Sequence, residues 1–188
     1  MTKLQETCSG GGPVIAIPAE LAATWRGTLP PKDADVPEGW VWGDGGVTCD
    51  YDRACEHVND KIATEYGAVG WLPVGEGRAL VLDLELITAV MPITDGLLII
   101  RNYEGEPTLE SAGKLLEAVL EDAWKEFPQT ITLPSGRLFL FDSAFEGAEN
   151  PAHIIADEGV AIAETGAGEY RVEVAVREGL DFIRLRRI

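Results

Sequence analysis

Between Thr48 and Leu86 the chain reads TCDYDRACEHVNDKIATEYGAVGWLPVGEGRALVLDLEL, and a helical period gives way there to a period of two. Tyr51, Ala54, Cys55, Val58 and Ile62 share one helix face. Thr48 or Asp50 can cap the first turn, Asp50 and Asp52 suit the positive helix start, and Gly67 can close the far end. Beyond it, Leu80, Leu82, Leu84 and Leu86 alternate with Ala79, Val81, Asp83 and Glu85, which predicts a strand. Gly75-Glu76-Gly77, between two apolar runs, predicts a three-residue hairpin loop. A helix and a hairpin so close together each have an apolar face that the rest of the chain must cover.

The remaining segments supply that cover. Val14 to Ile17 reads as a short strand, and Pro18 to Trp25 as a short helix ended by Gly27. Ala89 to Ile93 and Leu97 to Tyr103 read as strands around Asp95-Gly96, the second apolar on both faces and so mid-sheet. A second helix is predicted over 108–127, with Thr108 as cap, a stripe of Leu109, Ala112, Leu116, Val119, Ala123 and Phe127, and Pro128 as stop. Strands follow at Thr130 to Leu133, Leu138 to Phe141, Gly159 to Ala163, Glu169 to Arg177 and Asp181 to Arg186. The predicted class is α+β: a mainly antiparallel sheet with two principal helices, about 50–66 and 108–127. With 188 residues, one domain over 1–188 is expected, with sub-lobes 1–127 and 128–188 as the alternative.

Charge narrows the function classes. Thirty-two acidic residues against 15 basic ones give a net of −17, which repels nucleic acid and acidic membranes and draws in basic partners. Arg184, Arg186 and Arg187 are too few to make a basic stripe. The first residues lack a signal peptide's apolar centre, no run is long enough to span a membrane, and three cysteines do not make a disulfide framework. A cytoplasmic protein is expected. Cys55, on the apolar helix face, reads as a small buried hydrophobe.

The search for chemistry yields little. Ser9-Gly10-Gly11-Gly12-Pro13 precedes a strand and is followed by no Lys-Ser or Lys-Thr pair, so it reads as a turn and not a phosphate loop. Cys49, Cys55 and His57 lack a zinc spacing, and on a helix Cys55 and His57 point roughly 200° apart. A nucleophile among Cys8, Cys49 and Ser143 could pair with His57 or His153, but no nucleophile elbow occurs. Asp83 and Glu85 share a strand face, a coincidence expected in so acidic a chain. No metal and no cofactor is implied.

The segment LPPKDADVPEGWVWGDGG is rich in Pro, Gly and Asp and holds Trp40 and Trp42 two residues apart. Those rings either pin a strand edge to the core or anchor a partner within an acidic rim of Asp33, Asp35, Glu38 and Asp44. Both readings stand on sequence grounds.

Several of these features together resemble the immunity protein 21 family of bacterial polymorphic toxin systems. The glycine run with Gly11, Gly12 and Pro13 before an apolar strand, Trp25 followed by Gly27, and the hexamer Asp50-Tyr51-Asp52-Arg53-Ala54-Cys55 carry the resemblance. So does the Pro73-Val74-Gly75 turn into Ala79-Leu80-Val81-Leu82. It covers roughly the first 105 residues, and the hexamer is its most specific part. This chain departs from it where Asp83-Leu84-Glu85-Leu86 continues the strand in place of a Gly-Asp-Glu-Pro-like turn. The resemblance implies a non-catalytic protein that binds and neutralises a cognate toxin, here one expected to be basic. Asp33, Asp35, Glu38, Trp40, Trp42 and Asp44 are then the candidate toxin-binding residues, with the outer faces of the two helices as the rival location. The motif residues Gly11, Gly12, Pro13, Trp25, Asp50, Tyr51, Arg53, Ala54 and Cys55 read as structural. A small hydrolase using Cys49 or Ser143 with a histidine, or an adaptor for a non-toxin partner, is the alternative.

Overall fold

The structure is a computed structural model, and it describes residues 4–43, 46–58, 69–83, 86–102, 108–117, 119, 121–147, 159–177 and 179–188. The elements in chain order are β1 (Gln5–Thr7), β2 (Val14–Pro18), α1 (Ala19–Ala22), α2 (Asp50–Val58), β3 (Val69–Val74), β4 (Gly77–Leu82), β5 (Thr88–Ile93) and β6 (Gly96–Arg101). They continue as α3 (Leu109–Glu117), a 3₁₀ turn (Glu121–Ala123), β7 (Lys125–Leu133), β8 (Arg137–Asp142), β9 (Ala161–Glu164), β10 (Gly168–Arg177) and β11 (Leu180–Arg187). The fold is thus mostly antiparallel sheet with few helices, richer in strand than the α+β expectation.

Two sheets carry it, a six-stranded one ordered β1-β5-β6-β11-β10-β7 and a five-stranded one ordered β3-β4-β2-β8-β9. They face each other across a shared core that includes Val14, Leu80, Leu82 and Trp71 from one sheet and Ile99, Ile131, Val172 and Leu185 from the other. A second cluster covers the outside of the five-stranded sheet, where Ile15, Val81 and Phe141 meet Ala22, Trp25 and Ala54. A third covers the outside of the six-stranded sheet, where Leu98, Ile100 and Phe182 meet Ala112 and Val119. Central strands with both faces covered need apolar residues at every position, which is why Leu97 to Ile100 reads as an unbroken run. β6 does lie mid-sheet, between β5 and β11.

Each sheet draws strands from both sides of residue 127. The turn at Pro134-Ser135-Gly136 does not close a hairpin. It carries the chain from β7 in one sheet to β8 in the other.

The second helix departs most from expectation. It stops at Glu117, and Lys125 already belongs to a strand. Thr108 does cap it, through a Ser111 N–H to Thr108 Oγ1 bond of 3.2 Å. Phe127, however, lies in the inner core edge-to-face with Trp71, ring centroids 5.5 Å apart, and Ala123 is exposed. Pro128 ends no helix. It sits in the edge strand β7 where the register against β10 shifts, a place where proline costs no ladder bond.

Smaller differences follow local geometry. Val74 pairs with Gly77, so the hairpin loop is the two residues Gly75-Glu76, with Gly75 at φ +54°. β4 ends at Leu82 and β6 at Arg101, short of Leu86 and Tyr103. The first helix is described as far as Val58, and Ile62, Gly67, Leu84 and Glu85 lie outside the described residues. Near the end of β10 the alternation breaks: Val174 and Ala175 are both buried and Val176 is exposed.

Candidate functional site

The motif residues converge on one brace at the start of α2. Neither Thr48 nor Asp50 caps this helix; Cys49 does. The Asp52 N–H donates to Cys49 Sγ at 3.5 Å, and Asp52 Oδ2 accepts the Cys49 N–H at 3.1 Å, a reciprocal arrangement with sulfur in place of a hydroxyl. Asp50 is thereby released to reach outward. It accepts the Arg26 N–H at 2.8 Å and pairs with Arg53 at 2.7 Å, while Arg53 also donates to Pro73 O at 2.6 Å.

Tyr51 ties in two further segments. Its N–H donates to Gly27 O at 3.0 Å, and its ring lies against Gly12, where a Cβ would come within 2.5 Å of the phenol oxygen. Burial, followed by the neighbouring Cys55 thiol, pushes the phenol up to about 12. Trp25 is fully buried and its indole N–H donates to Ser143 O at 2.9 Å. Gly27, at φ +57°, runs so close to Ala144 O that a Cβ would stand 2.3 Å away. Pro13 O accepts both the N–H and the hydroxyl of Ser143, and Asp142 accepts the N–H of Gly10 and of Ala144. Ala54 is buried, whereas Cys55 is only half-buried, against the expectation of a buried hydrophobe.

The geometry bears on the nucleophile candidates. Burial, with the Asp52 carboxylate beside it, pushes the Cys49 thiol up to about 11, away from the thiolate a nucleophile needs. The Ser143 hydroxyl is buried and bonded to Pro13 O at 2.6 Å. Cys8 is half-buried, and His57 lies against Gly70, whose Cβ would meet its ring at 3.2 Å. His153 lies outside the described residues. No group of metal-ligating side chains occurs among the described residues. At a pH one unit below the ordinary thiol value, Cys49 should carry about a hundredfold less thiolate than in the unfolded chain. Iodoacetamide should therefore alkylate Cys49 at least that much more slowly in the native protein, as peptide mass mapping over time would read out; equal rates in folded and urea-unfolded protein would contradict the buried cap.

The acidic, aromatic segment 28–43 leaves from this brace. It is neither helix nor strand but a string of turns, with bonds from Leu29 N–H to Arg26 O, Ala34 N–H to Pro31 O and Trp40 N–H to Pro37 O. A strand edge pinned by the two rings is therefore not what forms. Trp42 is 48% exposed and stands edge-to-face on Tyr51, with ring centroids 5.2 Å apart. Trp40 is half-buried. Asp33, Asp35 and Glu38 are exposed, and Asp44 lies outside the described residues.

Sequence reasoning missed three contributors here. Leu29 (42% exposed) and Val41 (52% exposed) add apolar surface to the same segment. Arg26 holds the segment's root, through its Nε to Pro30 O at 2.8 Å, its N–H to Asp50 and an ion pair with Glu146. Its position between Trp25 and Gly27 was the only available signal. A hollow of about 340 Å³ opens beside it, lined by Thr24, Arg26, Leu29, Pro31, Lys32 and Asp50 among others. On the rival surface, α3 presents Glu110, Lys114 and Glu117 to solvent.

Among the described residues no helix is long and apolar enough to cross a membrane. A family model described as Immunity protein 21 matches residues 6–180, well past the part of the chain that the motifs cover. No curated protein and no solved structure matches.

Proposed function

The chain belongs to the Immunity protein 21 family, and from that premise we propose that it neutralises a cognate bacterial toxin by binding it, without catalysing a reaction. The segment 28–43 is the contact surface in this reading. The observation that carries it is the exposure of Trp42, Val41 and Leu29 beside Asp33, Asp35 and Glu38, on a loop rooted in the rigid brace of Asp50, Arg26 and Tyr51. Interfaces concentrate their energy in a few aromatic anchors within a polar rim, and Tyr51 already holds Trp42 in place, so little ordering entropy remains to be lost on binding. The net charge of −17 would speed encounter with a basic toxin.

Co-expression with the product of an adjacent gene that proves toxic on its own should rescue growth, and loss of rescue would end the reading. With purified partners, association should slow about tenfold between roughly 50 mM and 500 mM salt. The triple change Asp33→Asn, Asp35→Asn, Glu38→Gln should remove most of that salt dependence. Trp42→Ala should act on dissociation instead, speeding it about thirtyfold. An association rate indifferent to salt would remove the acidic steering while leaving the toxin-binding role intact.

A further inference from the structure

β7 ends the six-stranded sheet, and no described residue adds a strand to its outer side. The direction of its backbone groups follows from its neighbour. Ile188 N–H donates to Glu169 O at 3.0 Å, so Glu169 turns its polar groups toward the β11 side of β10. Glu169 lies opposite Thr132 in the β10–β7 pair, and in an antiparallel ladder such a residue leaves its opposite number unbonded. Thr132, and Thr130 two residues before it, therefore point their N–H and C=O groups away from the sheet.

Edge strands are usually blunted by charges, prolines or bulges. The first half of β7 has all three, in Lys125, Glu126, Pro128 and the register shift. Its second half, Thr130 to Leu133, has none. Alongside that half runs a groove of about 470 Å³, lined by Thr130 and Thr132 on one side and by Glu20, Leu21, Glu76 and Arg78 on the other. The groove adjoins the acidic loop. A Cβ on Gly75, at the hairpin tip, would lie 3.8 Å from both Leu21 and Thr24, and Thr24 lines the hollow beside Arg26 and Leu29. α1, four residues and about 6 Å long, links the two linings, with Glu20 and Leu21 in the groove and Ala23 and Thr24 in the hollow.

We infer that an extended segment of the toxin adds to β7 as a further strand, pairing with the outward groups of Thr130 and Thr132 and placing Lys or Arg against Glu20 and Glu76. This rests on the toxin-binding role proposed above. Outward amides and carbonyls in a row select an extended backbone, and two acids against one arginine in the groove wall select a basic one. A second copy of this chain brings a further −17, which opposes self-pairing.

Amide hydrogen exchange, with the toxin identified by growth rescue as probe, tests the inference. In the free protein the Thr130 and Thr132 amides should exchange at least about tenfold faster than that of Ile131, and in the complex they should slow about a hundredfold. Thr132→Pro, which deletes an outward donor and costs the β7–β10 ladder no bond, should weaken binding about tenfold, while Thr132→Ala stays within about twofold. Should the proline variant fail to fold, exchange on the wild-type chain decides alone. A complex that forms without slowing these two amides overturns the edge assignment and leaves the toxin-binding role standing. Slow exchange in the dilute free protein, or protection that rises with its own concentration, overturns it as well. If no complex forms, both readings fall.

Discussion

Trp25→Ala should cost about 4 kcal/mol of stability, a large share of the 5–15 kcal/mol typical of a domain. The ring is fully buried among Ile15, Ile17, Phe139 and Phe141, and its removal leaves a cavity that strands on one side and α2 on the other cannot collapse to fill. The Ser143 carbonyl also loses its donor, in the turn that holds Pro13 and, through Asp142, Gly10. Trp25→Phe keeps much of the ring and drops the donor, so its cost of about 1–2 kcal/mol isolates the hydrogen bond and a small packing loss. Trp42→Ala, in contrast, should shift stability by less than about 1 kcal/mol, because half of that ring already faces water. Urea unfolding of the three variants separates scaffold from contact surface. Equal midpoints for Trp25→Ala and Trp42→Ala would refute the division of labour drawn between the motif and the loop.

That division was only half legible in the sequence. The hexamer around Tyr51 was visible as a pattern, and its helical period was correct as far as Val58. What it does was not visible, because Asp50 acts on Arg26, Arg53 on Pro73 and Tyr51 on Gly27, all contacts made by folding and not by spacing. The sulfur cap at Cys49 escaped because capping is read from hydroxyls, amides and carboxylates. The strand at Leu80 and Leu82 was correct, but no local rule says that the alternate residues Ala79 and Val81 meet a second core.

The misread helix has the clearest cause. Phe127 stands four residues after Ala123 and also alternates with buried partners at Ile131 and Leu133, so it fits both periods. Pairing with Glu169 to Arg171, some forty residues later, settles the matter for the strand. The same long-range pairing leaves the outer side of β7 open, which sequence alone could not have shown. In the loop, composition left a strand edge and an exposed loop both open and could not tell the half-buried Trp40 from the exposed Trp42, since that depends on where Tyr51 stands.

Arg101→Ala is expected to cost about 3–5 kcal/mol, for a different physical reason. Arg101 lies on β6 directly between Thr88 of β5 and Asp181 of β11, fully buried, with Nε donating to Thr88 Oγ1 at 3.2 Å and Nη2 to Asp83 O. Burial lowers its pKa to about 10, against the pull of Asp181 and Asp83, and burial likewise raises that of Asp181 against the pull of Arg101. In both partners desolvation outweighs attraction, so the pair is a net cost that becomes larger when one member is deleted. Truncation to alanine leaves Asp181 partly buried with no cation. Arg101→Met combined with Asp181→Leu removes both charges and fills the volume, and it should return stability to within about 1 kcal/mol of wild type. The sign of the pH dependence follows from the same shifts. The raised folded-state pKa of Asp181 gives a contribution that is full in acid and lost as pH rises through it. Without Arg101 that pKa rises further, so the gap between wild type and Arg101→Met should narrow from neutral pH into mild acid. On the alkaline side, Arg101 contributes nothing to the slope below about 10, and its burial penalty is relieved as pH climbs from there toward the ordinary arginine value. Urea unfolding across both ranges reads the two effects; a gap that stays constant into acid would show that Asp181 does not feel Arg101, and the pairing of the two would have to be abandoned.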